Sequence, residues 1–294
     1  GTVVSNSLSL AHLQSFAIPN APYYMLQGLI FHFFGVYAFT IKLPSLILAL
    51  FSAVGLILLL RRWFKPNIAV LTSLLAITTG QFLFIAQNGV PSITYVFWPV
   101  FLLLLGTQIT RVKRGTLFWK LAFAVFAAAS LYTPLSVYPL IAVVIAIVLH
   151  PHLRNVVRRL SKPKIVISMV IAAVILAPLI GSIMNDPQLG FTLLGAPAPE
   201  NWPPNLLANI QILFNQFFTF WKPSTTTLMT PVFGLGSVLL IVLGMYRIIR
   251  TRDTTRSYLI IIWVLCLAPI VIINPKFTSV LFVPSVLLMA AGLT

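Results

Sequence analysis

Residues 40–62 of the chain have the sequence TIKLPSLILALFSAVGLILLLRR. The 18 residues between Lys42 and Arg61 carry no charge, and a helix needs about 20 mostly apolar residues to cross a bilayer. Similar stretches recur along all 294 residues. We therefore predict an all-α polytopic transmembrane bundle with about nine spans, at roughly 40–60, 67–86, 92–110, 117–133, 135–149, 165–184, 231–249, 257–273 and 278–294.

The composition supports a membrane protein. Hydrophobic residues make up 59% of the chain and charged residues only 7%, whereas ordinary soluble domains contain about 25% charged residues. The formal net charge is +16, which in a soluble chain would suggest nucleic-acid binding. The apolar background favours a membrane role instead, so we expect no nucleic-acid partner.

The basic residues predict the orientation. Sixteen of the nineteen Lys and Arg fall into four clusters in alternate loops, namely residues 61–65, 111–120, 154–164 and 247–256. Cytoplasmic loops are enriched in Lys and Arg, so these loops are predicted to be cytoplasmic. Lys42, Lys222 and Lys276 remain for the opposite side. A shared lipid-binding role is an alternative, but orientation alone explains the clusters.

The non-spanning segments lie mostly on the exterior side. We predict one integral-membrane domain over residues 1–294, with an exterior loop at 1–39, six spans at 40–184, an exterior loop at 185–230 and three spans at 231–294. We expect the sequence to be truncated at both ends. Residues 21–36 and 205–221 suit helices at the membrane interface, with Tyr and Phe in lipid and a polar edge, such as Gln27 and His32, in water.

Few residues could carry acid–base chemistry. The acids are Asp186, Glu200 and Asp253, and Asp253 lies in a basic, cytoplasmic loop. Asp186 and Glu200 are exterior candidates for a general base, although Asp186 also fits an Asx turn and Glu200 a solvated loop. Cys266 is the sole cysteine, so neither a disulfide within the chain nor a CxxC metal site is predicted. We expect no metal and no cofactor.

Four exterior clusters are candidates for substrate binding, and we expect them to converge on one cavity at the membrane boundary. They occupy residues 19–24, 86–91, 132–134 and 274–277, and the side chains singled out are Asn20, Tyr23, Gln87, Asn88, Tyr132 and Lys276. A cation such as Lys276 suits a lipid-linked phosphate, although a lysine at the end of a span also snorkels to the interface. The alternative for Gln87 and Asn88 is that they only cap a turn, and the alternative for Pro134 is that it only kinks a helix.

The order of these segments resembles the GT-C membrane glycosyltransferases, in the branch of dolichyl-phosphate-mannose protein mannosyltransferases and aminoarabinose transferases. Residues 21–64 are similar to the first exterior loop and span of that branch, with Lys42-Leu43-Pro44-Ser45 in place of Arg-Leu-Pro-Ser and Arg61-Arg62 as the closing basic pair. Residues 86–105 resemble the second exterior loop and its outgoing span. Residues 274–293 resemble the late segment with its basic-aromatic pair.

The resemblance implies an enzyme that transfers a hexosyl or pentosyl group from a polyprenyl-phosphate carrier to a glycan, lipid or protein acceptor. Transfer would invert the anomeric carbon, need no metal and occur on the extracytoplasmic face of a bacterial or archaeal plasma membrane. The family's base is an acid in the first exterior loop, so here it is expected upstream of Gly1, together with a first span. The family's Ala-Arg-x-Asp pattern appears as Ala86-Gln87-Asn88-Gly89, which lacks both charges.

Two alternatives stay open at this point. A transporter or flippase of a lipid-linked substrate would also be polytopic, but it should carry ionisable residues inside its spans and related halves. The sequence indicates neither feature. A non-catalytic scaffold subunit of the same fold is favoured only by the scarcity of acids.

Overall fold

A computed structural model describes residues 19–111, 116–158, 162–197, 203–218 and 232–294. Within these ranges every regular element is a helix, so the all-α prediction is confirmed. Short 3₁₀ helices occupy Pro91–Ile93 and Pro275–Leu281. The α-helices are α1 (Ala21–Phe34), α2 (Ala38–Trp63), α3 (Pro66–Ile77), α4 (Gly80–Gln87), α5 (Thr94–Arg111), α6 (Thr116–Ser130), α7 (Val137–Leu149), α8 (Pro151–Arg158), α9 (Lys162–Asn185), α10 (Pro187–Leu193), α11 (Leu206–Phe218), α12 (Leu235–Arg250), α13 (Thr255–Ile273) and α14 (Phe282–Gly292).

Five helical segments of the described chain are long and apolar enough to cross a membrane. They are Ala38–Trp63, Pro91–Thr110, Pro163–Asn185, Thr255–Ile273 and Pro275–Gly292. Two further pairs of helices meet the same criteria together but are bent, α3 with α4 by 58° and α7 with α8 by 94°. The described chain therefore contains five to seven candidate spans.

The predicted count of nine includes two segments that form shorter helices. Helix α6 has 15 residues and helix α12 has 16, so they rise about 23 Å and 24 Å along their axes, less than the roughly 30 Å hydrocarbon layer. Each can still cross where the bilayer thins or where flanking residues complete the span. The nine-span arrangement stays a prediction.

The chain divides into two compact units. Unit 1 comprises residues 1–52, 86–137 and 158–195. In this unit α6 packs against both α5 and α9, and the α5–α6 contact is filled by the rings of Phe97, Trp98, Phe101 and Phe126. Helix α9 buries little of its apolar surface in the protein, as expected for a helix that faces lipid.

Unit 2 comprises residues 53–85, 138–157 and 196–294. Its innermost helix is α14, of which every residue from Phe282 to Ala291 is buried. Helix α12 crosses α14 with the two backbones in direct contact, at Gly244 and Gly292. A stack of three aromatic rings, Phe82, Phe282 and Phe233, closes one part of this core.

Helix α1 differs from its prediction. Tyr23 and Tyr24 are buried in the protein and Gln27 is fully buried, whereas Tyr side chains in lipid and a polar edge in water were expected. The exposed side chains include Met25, Leu29 and Phe33, together with His32. The Gln27 amide donates to the Ile41 carbonyl of α2 at 2.9 Å, so this part of the predicted polar edge faces the protein.

Lys120 also differs from its prediction as a cytoplasmic loop residue. Helix α6 begins at Thr116, so Lys120 lies inside the helix, and its side chain is only 6% exposed. The expectation that no ionisable residue is buried within a predicted span is therefore wrong at this position. Lysine tolerates such a site because its aliphatic stem packs against apolar neighbours.

Candidate functional site

Asn20 joins the start of α1 to two distant parts of unit 1. It is buried and adopts a left-handed backbone conformation with φ 64°, which Asn tolerates better than most residues. Its backbone N–H donates to the Tyr132 carbonyl at 2.7 Å. Its side-chain Oδ1 accepts a bond from the Thr94 hydroxyl at 3.4 Å. Asn20 therefore links the start of α1 to the start of α5 and to the turn that follows α6.

Tyr23 makes a second connection within the same unit. Its phenol lies 2.8 Å from the Ser45 hydroxyl near the start of α2. Ser45 in turn donates to the Val90 carbonyl at 3.2 Å. Ser45 closes the Lys-Leu-Pro-Ser motif, so that motif contributes a buried hydroxyl to the network between α1 and the loop at residues 88–90.

Tyr132 lies in the turn that follows α6. Its hydroxyl donates to the Ile175 carbonyl of α9 at 2.7 Å, while neighbouring Thr133 accepts a bond from the Trp98 indole at 2.9 Å. The turn then reverses at Leu135, whose φ is 64°. Pro134 therefore belongs to a tight turn between α6 and α7, and the alternative of a helix kink at this proline is wrong.

Gln87 and Asn88 lie at the end of α4, and both side chains are exposed. The next residue, Gly89, has φ 65°, and a Cβ at this position would lie 2.9 Å from the Ile41 carbonyl oxygen. Only glycine combines that backbone conformation with so close an approach. The Ile41 carbonyl also accepts the Gln27 amide at 2.9 Å. Gly89 thus brings the Gln87–Asn88 pair close to the beginning of α2.

The groups of this network are neutral hydrogen-bonding groups. Burial raises the pKa of the Tyr23 phenol well above its usual range, and the bond to Ser45 opposes this only in part. The phenol therefore stays protonated at neutral pH. The amides, hydroxyls and phenols joined here can orient a polar ligand or hold the ends of α1, α4 and α6 together, but they do not supply a base.

Lys276 lies in unit 2, in the 3₁₀ helix that follows α13, and its side chain is exposed. Helix α11 is bonded to this region at two points. Asn209 donates to the Ile273 carbonyl at 2.9 Å, and Gln216 accepts from the Thr278 hydroxyl at 2.6 Å. Exposed apolar residues such as Leu207 and Phe214 line α11, which agrees with its predicted position at the membrane interface. Lys276 therefore projects from a turn that α11 braces.

The acidic candidates have separate surroundings. Asp186 is exposed and caps α10, accepting the Gln188 backbone N–H at 3.0 Å, which agrees with the Asx-turn interpretation. Glu200 lies outside the described residues. Asp253 lies in the exposed turn between α12 and α13. The described residues contain no group of three or more His, Cys, Asp or Glu that could hold a metal ion.

The structure therefore connects three of the four predicted clusters. Asn20, Tyr23 and Tyr132 belong to one buried network in unit 1, with Gln87 and Asn88 exposed beside the loop that completes it. Sequence reasoning missed Thr94, Gln27 and Trp98 as partners. The sequence marks these residues only by a polar group in an otherwise apolar run. That feature does not identify their hydrogen-bond partners, because the bonded residues lie far apart in the chain. The substrate-binding role of the six residues remains a prediction.

Comparison with known protein families gives a match over part of the chain. A family model described as dolichyl-phosphate-mannose-protein mannosyltransferase matches residues 19–181, more than half of the chain and including Asn20, Tyr23, Gln87, Asn88 and Tyr132. No curated protein and no solved structure matches significantly. The family resemblance predicted from the sequence is confirmed over the matched range. The resemblance of residues 274–293 lies outside this range and stays a prediction.

Proposed function

Because the chain belongs to the dolichyl-phosphate-mannose-protein mannosyltransferase family of membrane glycosyltransferases, we propose that it transfers a sugar from a polyprenyl-phosphate donor to a glycan, lipid or protein acceptor. The proposed reaction takes place on the extracytoplasmic face of a plasma membrane. The family match over residues 19–181 is the observation that carries this proposal. The apolar candidate spans support it, since a polyprenyl donor is itself confined to the membrane.

The proposed reaction is a single displacement at the anomeric carbon. An acceptor hydroxyl oxygen forms the new bond to that carbon while the bond between the carbon and the phosphate oxygen breaks. The departing polyprenyl phosphate keeps the electron pair of the broken bond, and a carboxylate base takes the proton of the hydroxyl. Attack opposite the leaving group inverts the configuration. The resemblance assigns the role of the base to an acid of the first exterior loop.

We assign two supporting roles to the candidate residues. In unit 1, Asn20, Tyr23 and Tyr132 fix the segments around the start of α1, and Gln87 and Asn88 offer exposed amides to sugar hydroxyls. Lys276 stabilises the negative charge that grows on the lipid phosphate as the bond breaks. Two observations support this role of Lys276. Its side chain is exposed, so the ammonium group is accessible, and hydrogen bonds from α11 fix the turn around it.

The direct test is sugar transfer by the protein expressed from its complete reading frame. The purified protein is placed in proteoliposomes with polyprenyl-phosphate donors carrying radiolabelled hexoses or pentoses. We expect the label to leave the lipid fraction for a water-soluble or protein-bound product with at least one donor. If no donor loses its label, the proposal fails and the non-catalytic scaffold becomes the better description. If intact donor only moves between leaflets, the flippase alternative is supported.

Replacing Lys276 by alanine should reduce transfer by about tenfold or more, which corresponds to at least about 1.4 kcal/mol of lost transition-state stabilisation. The effect should fall on kcat, because the charge on the phosphate oxygen grows as its bond to the sugar breaks. The measurement is the initial rate of transfer over a range of donor concentrations.

The matched controls are Lys276→Arg and Lys65→Ala. The first keeps a cation at the site and should retain most of the activity. The second removes an exposed lysine from a basic cluster predicted to face the opposite side and should leave transfer unchanged. An unaltered rate in Lys276→Ala, with the protein folded by gel filtration, removes Lys276 from the site.

A further inference from the structure

Three basic segments of unit 2 meet at one surface, which we call the basic pole and define as residues 61–66, 150–157 and 247–257. Arg256 lies over the Phe64 ring, with its Cζ atom 5.5 Å from the ring centroid. His150 Nε2 lies 3.3 Å from the Asp253 carbonyl oxygen, and its ring lies 5.6 Å from that of Tyr258. These contacts bring together segments that lie more than 100 residues apart in the sequence.

A small cavity of about 190 Å³ opens at this pole. Its polar lining consists of two arginines and four hydroxyl residues, namely Arg247, Arg256, Thr251, Thr254, Ser257 and Thr294. Three of the hydroxyls are held in place by one another, since Ser257 Oγ lies 2.8 Å from Thr254 Oγ1 and 3.2 Å from Thr251 Oγ1. No ion pair within the described residues neutralises either arginine.

The charge of the pole favours an anion. Eight Lys and Arg of unit 2 belong to these segments, against the single acid Asp253. Helix α13 begins at Thr255 and directs its positive end to the pole, while α12 and α14 end there with their negative ends. Each helix end counts for about half an elementary charge, so the net helix contribution of about −0.5 is small beside the eight cations.

The surroundings of the cavity indicate that this anion carries apolar chains. Helix α12 leads directly to Arg247, and its outer side is lined by exposed Leu239, Val242, Tyr246 and Ile249. Helix α8 turns away from α7 by 94°, so it lies near the plane of the membrane if α7 crosses it, and it carries exposed Arg154. The arginines of the pole therefore lie next to an exposed apolar surface that acyl chains could contact.

We propose that the basic pole holds the headgroup phosphate of an anionic glycerophospholipid, bound in the cavity by Arg247 and Arg256. The planar guanidinium groups bond phosphate oxygens in pairs, the hydroxyls contribute further donors, and the acyl chains lie along α12. By the predicted orientation the lipid belongs to the cytoplasmic leaflet. This site is independent of the sugar transfer proposed above, which is assigned to the opposite side.

Native mass spectrometry of the full-length protein in mild detergent tests the site. The probes are phosphatidylglycerol and phosphatidylcholine with identical acyl chains, and inorganic phosphate serves as a soluble competitor. We expect retention of phosphatidylglycerol in preference to phosphatidylcholine. The double variant Arg247→Gln/Arg256→Gln should retain about tenfold less phosphatidylglycerol, since charge-assisted hydrogen bonds are the strong ones. Millimolar inorganic phosphate should not displace the lipid.

The matched control is Arg250→Gln/Arg252→Gln, which removes the same charge from the same region but from residues that do not line the cavity. It should lose about twofold or less of the bound lipid, because these two residues add only to the general charge of the pole. Equal losses in both double variants would reduce the effect to diffuse attraction and overturn the site, as would equal retention of the two lipids. Displacement by inorganic phosphate would overturn the assignment to a lipid.

A third variant covers the case in which the glutamine variant does not fold. Arg247→Lys/Arg256→Lys keeps both charges but loses the planar fork. We expect it to retain about threefold less phosphatidylglycerol than the unmodified protein, because point charges replace paired hydrogen bonds. Retention equal to that of the unmodified protein would overturn the role assigned to the two guanidinium groups.

Discussion

At the residue scale, several polar groups of unit 1 are already hydrogen-bonded within the protein. Each bond joins residues that are distant in the sequence, and the residues concerned are Asn20, Tyr23 and Tyr132. A buried polar group without a partner is costly, so these bonds fix the chain around the ends of α1 and α2. The chemistry that these residues can perform is limited, because none of them is a base at neutral pH.

The role of Asp186 can be tested by a substitution that leaves its structural role intact. In Asp186→Asn the side-chain oxygen can still accept the Gln188 N–H, since Asn caps helices about as well as Asp. Only the charge is lost. With the base elsewhere, as the resemblance implies, we expect the rate of sugar transfer to stay within about twofold and the thermal midpoint to be unchanged. A fall of about 100-fold or more is typical of a lost general base and would assign that role to Asp186.

Individual residues also show how far the sequence can be interpreted. The Asx turn at Asp186 was predictable because it depends on neighbouring residues alone. The bond between the Asn20 N–H and the Tyr132 carbonyl was not, because it joins segments more than 100 residues apart and no local pattern encodes it. The burial of Lys120 was missed for a related reason, since the local sequence around a basic residue near a basic loop does not show whether its side chain faces water or the protein.

At the element scale, hydropathy located the helices well, but it did not determine how they pack. The predicted spans at 40–60, 92–110, 165–184 and 257–273 each coincide with one long helix. The stretches at 67–86 and 135–149 are equally apolar, yet they belong to bent pairs. The first bend follows a break at Thr78–Thr79, inside the predicted span 67–86, whereas the second follows His150, where the predicted span 135–149 ends.

The crossing of α12 and α14 gives the clearest prediction at this scale. A Cβ at Gly244 would overlap the Leu288 carbonyl, and one at Gly292 would overlap the Leu240 carbonyl. Glycine is used at such crossings because it allows backbones to meet. We expect Gly244→Ala to destabilise the protein by about 3 kcal/mol, since overpacking against rigid backbone cannot be relieved by a rotamer change. Thermal unfolding in detergent measures the effect.

The same helix provides the control for that experiment. Gly236 lies near the start of α12, and a Cβ there would meet nothing within 4 Å. Gly236→Ala should therefore leave the midpoint unchanged or raise it slightly, because alanine favours helix by up to about 1 kcal/mol over glycine. Similar losses of stability in the two variants would mean that α12 and α14 do not meet at Gly244.

At the scale of the whole molecule, the residues proposed for sugar transfer and the basic pole are predicted to lie on opposite sides of the membrane. The sugar-transfer residues belong to loops with few cations, and the basic pole belongs to the loops rich in Arg. Helix α13 separates Arg252 from Lys276 with 19 residues, a rise of about 28 Å that is close to the hydrocarbon thickness. The positive-inside rule then assigns Arg252 to the cytoplasm and Lys276 to the exterior.

This orientation can be measured with single cysteines. In a Cys266→Ser background, which removes the sole native cysteine, Arg252→Cys and Lys276→Cys each introduce one exposed thiol. We expect a membrane-impermeant maleimide to label Lys276→Cys in intact cells and Arg252→Cys only after permeabilisation, while detergent exposes both and the Cys266→Ser parent stays unlabelled. Labelling of both from one side would mean that α13 does not cross. Reversed labelling would exchange the two faces, and the lipid phosphate beside Lys276 would then lie in the cytoplasmic leaflet.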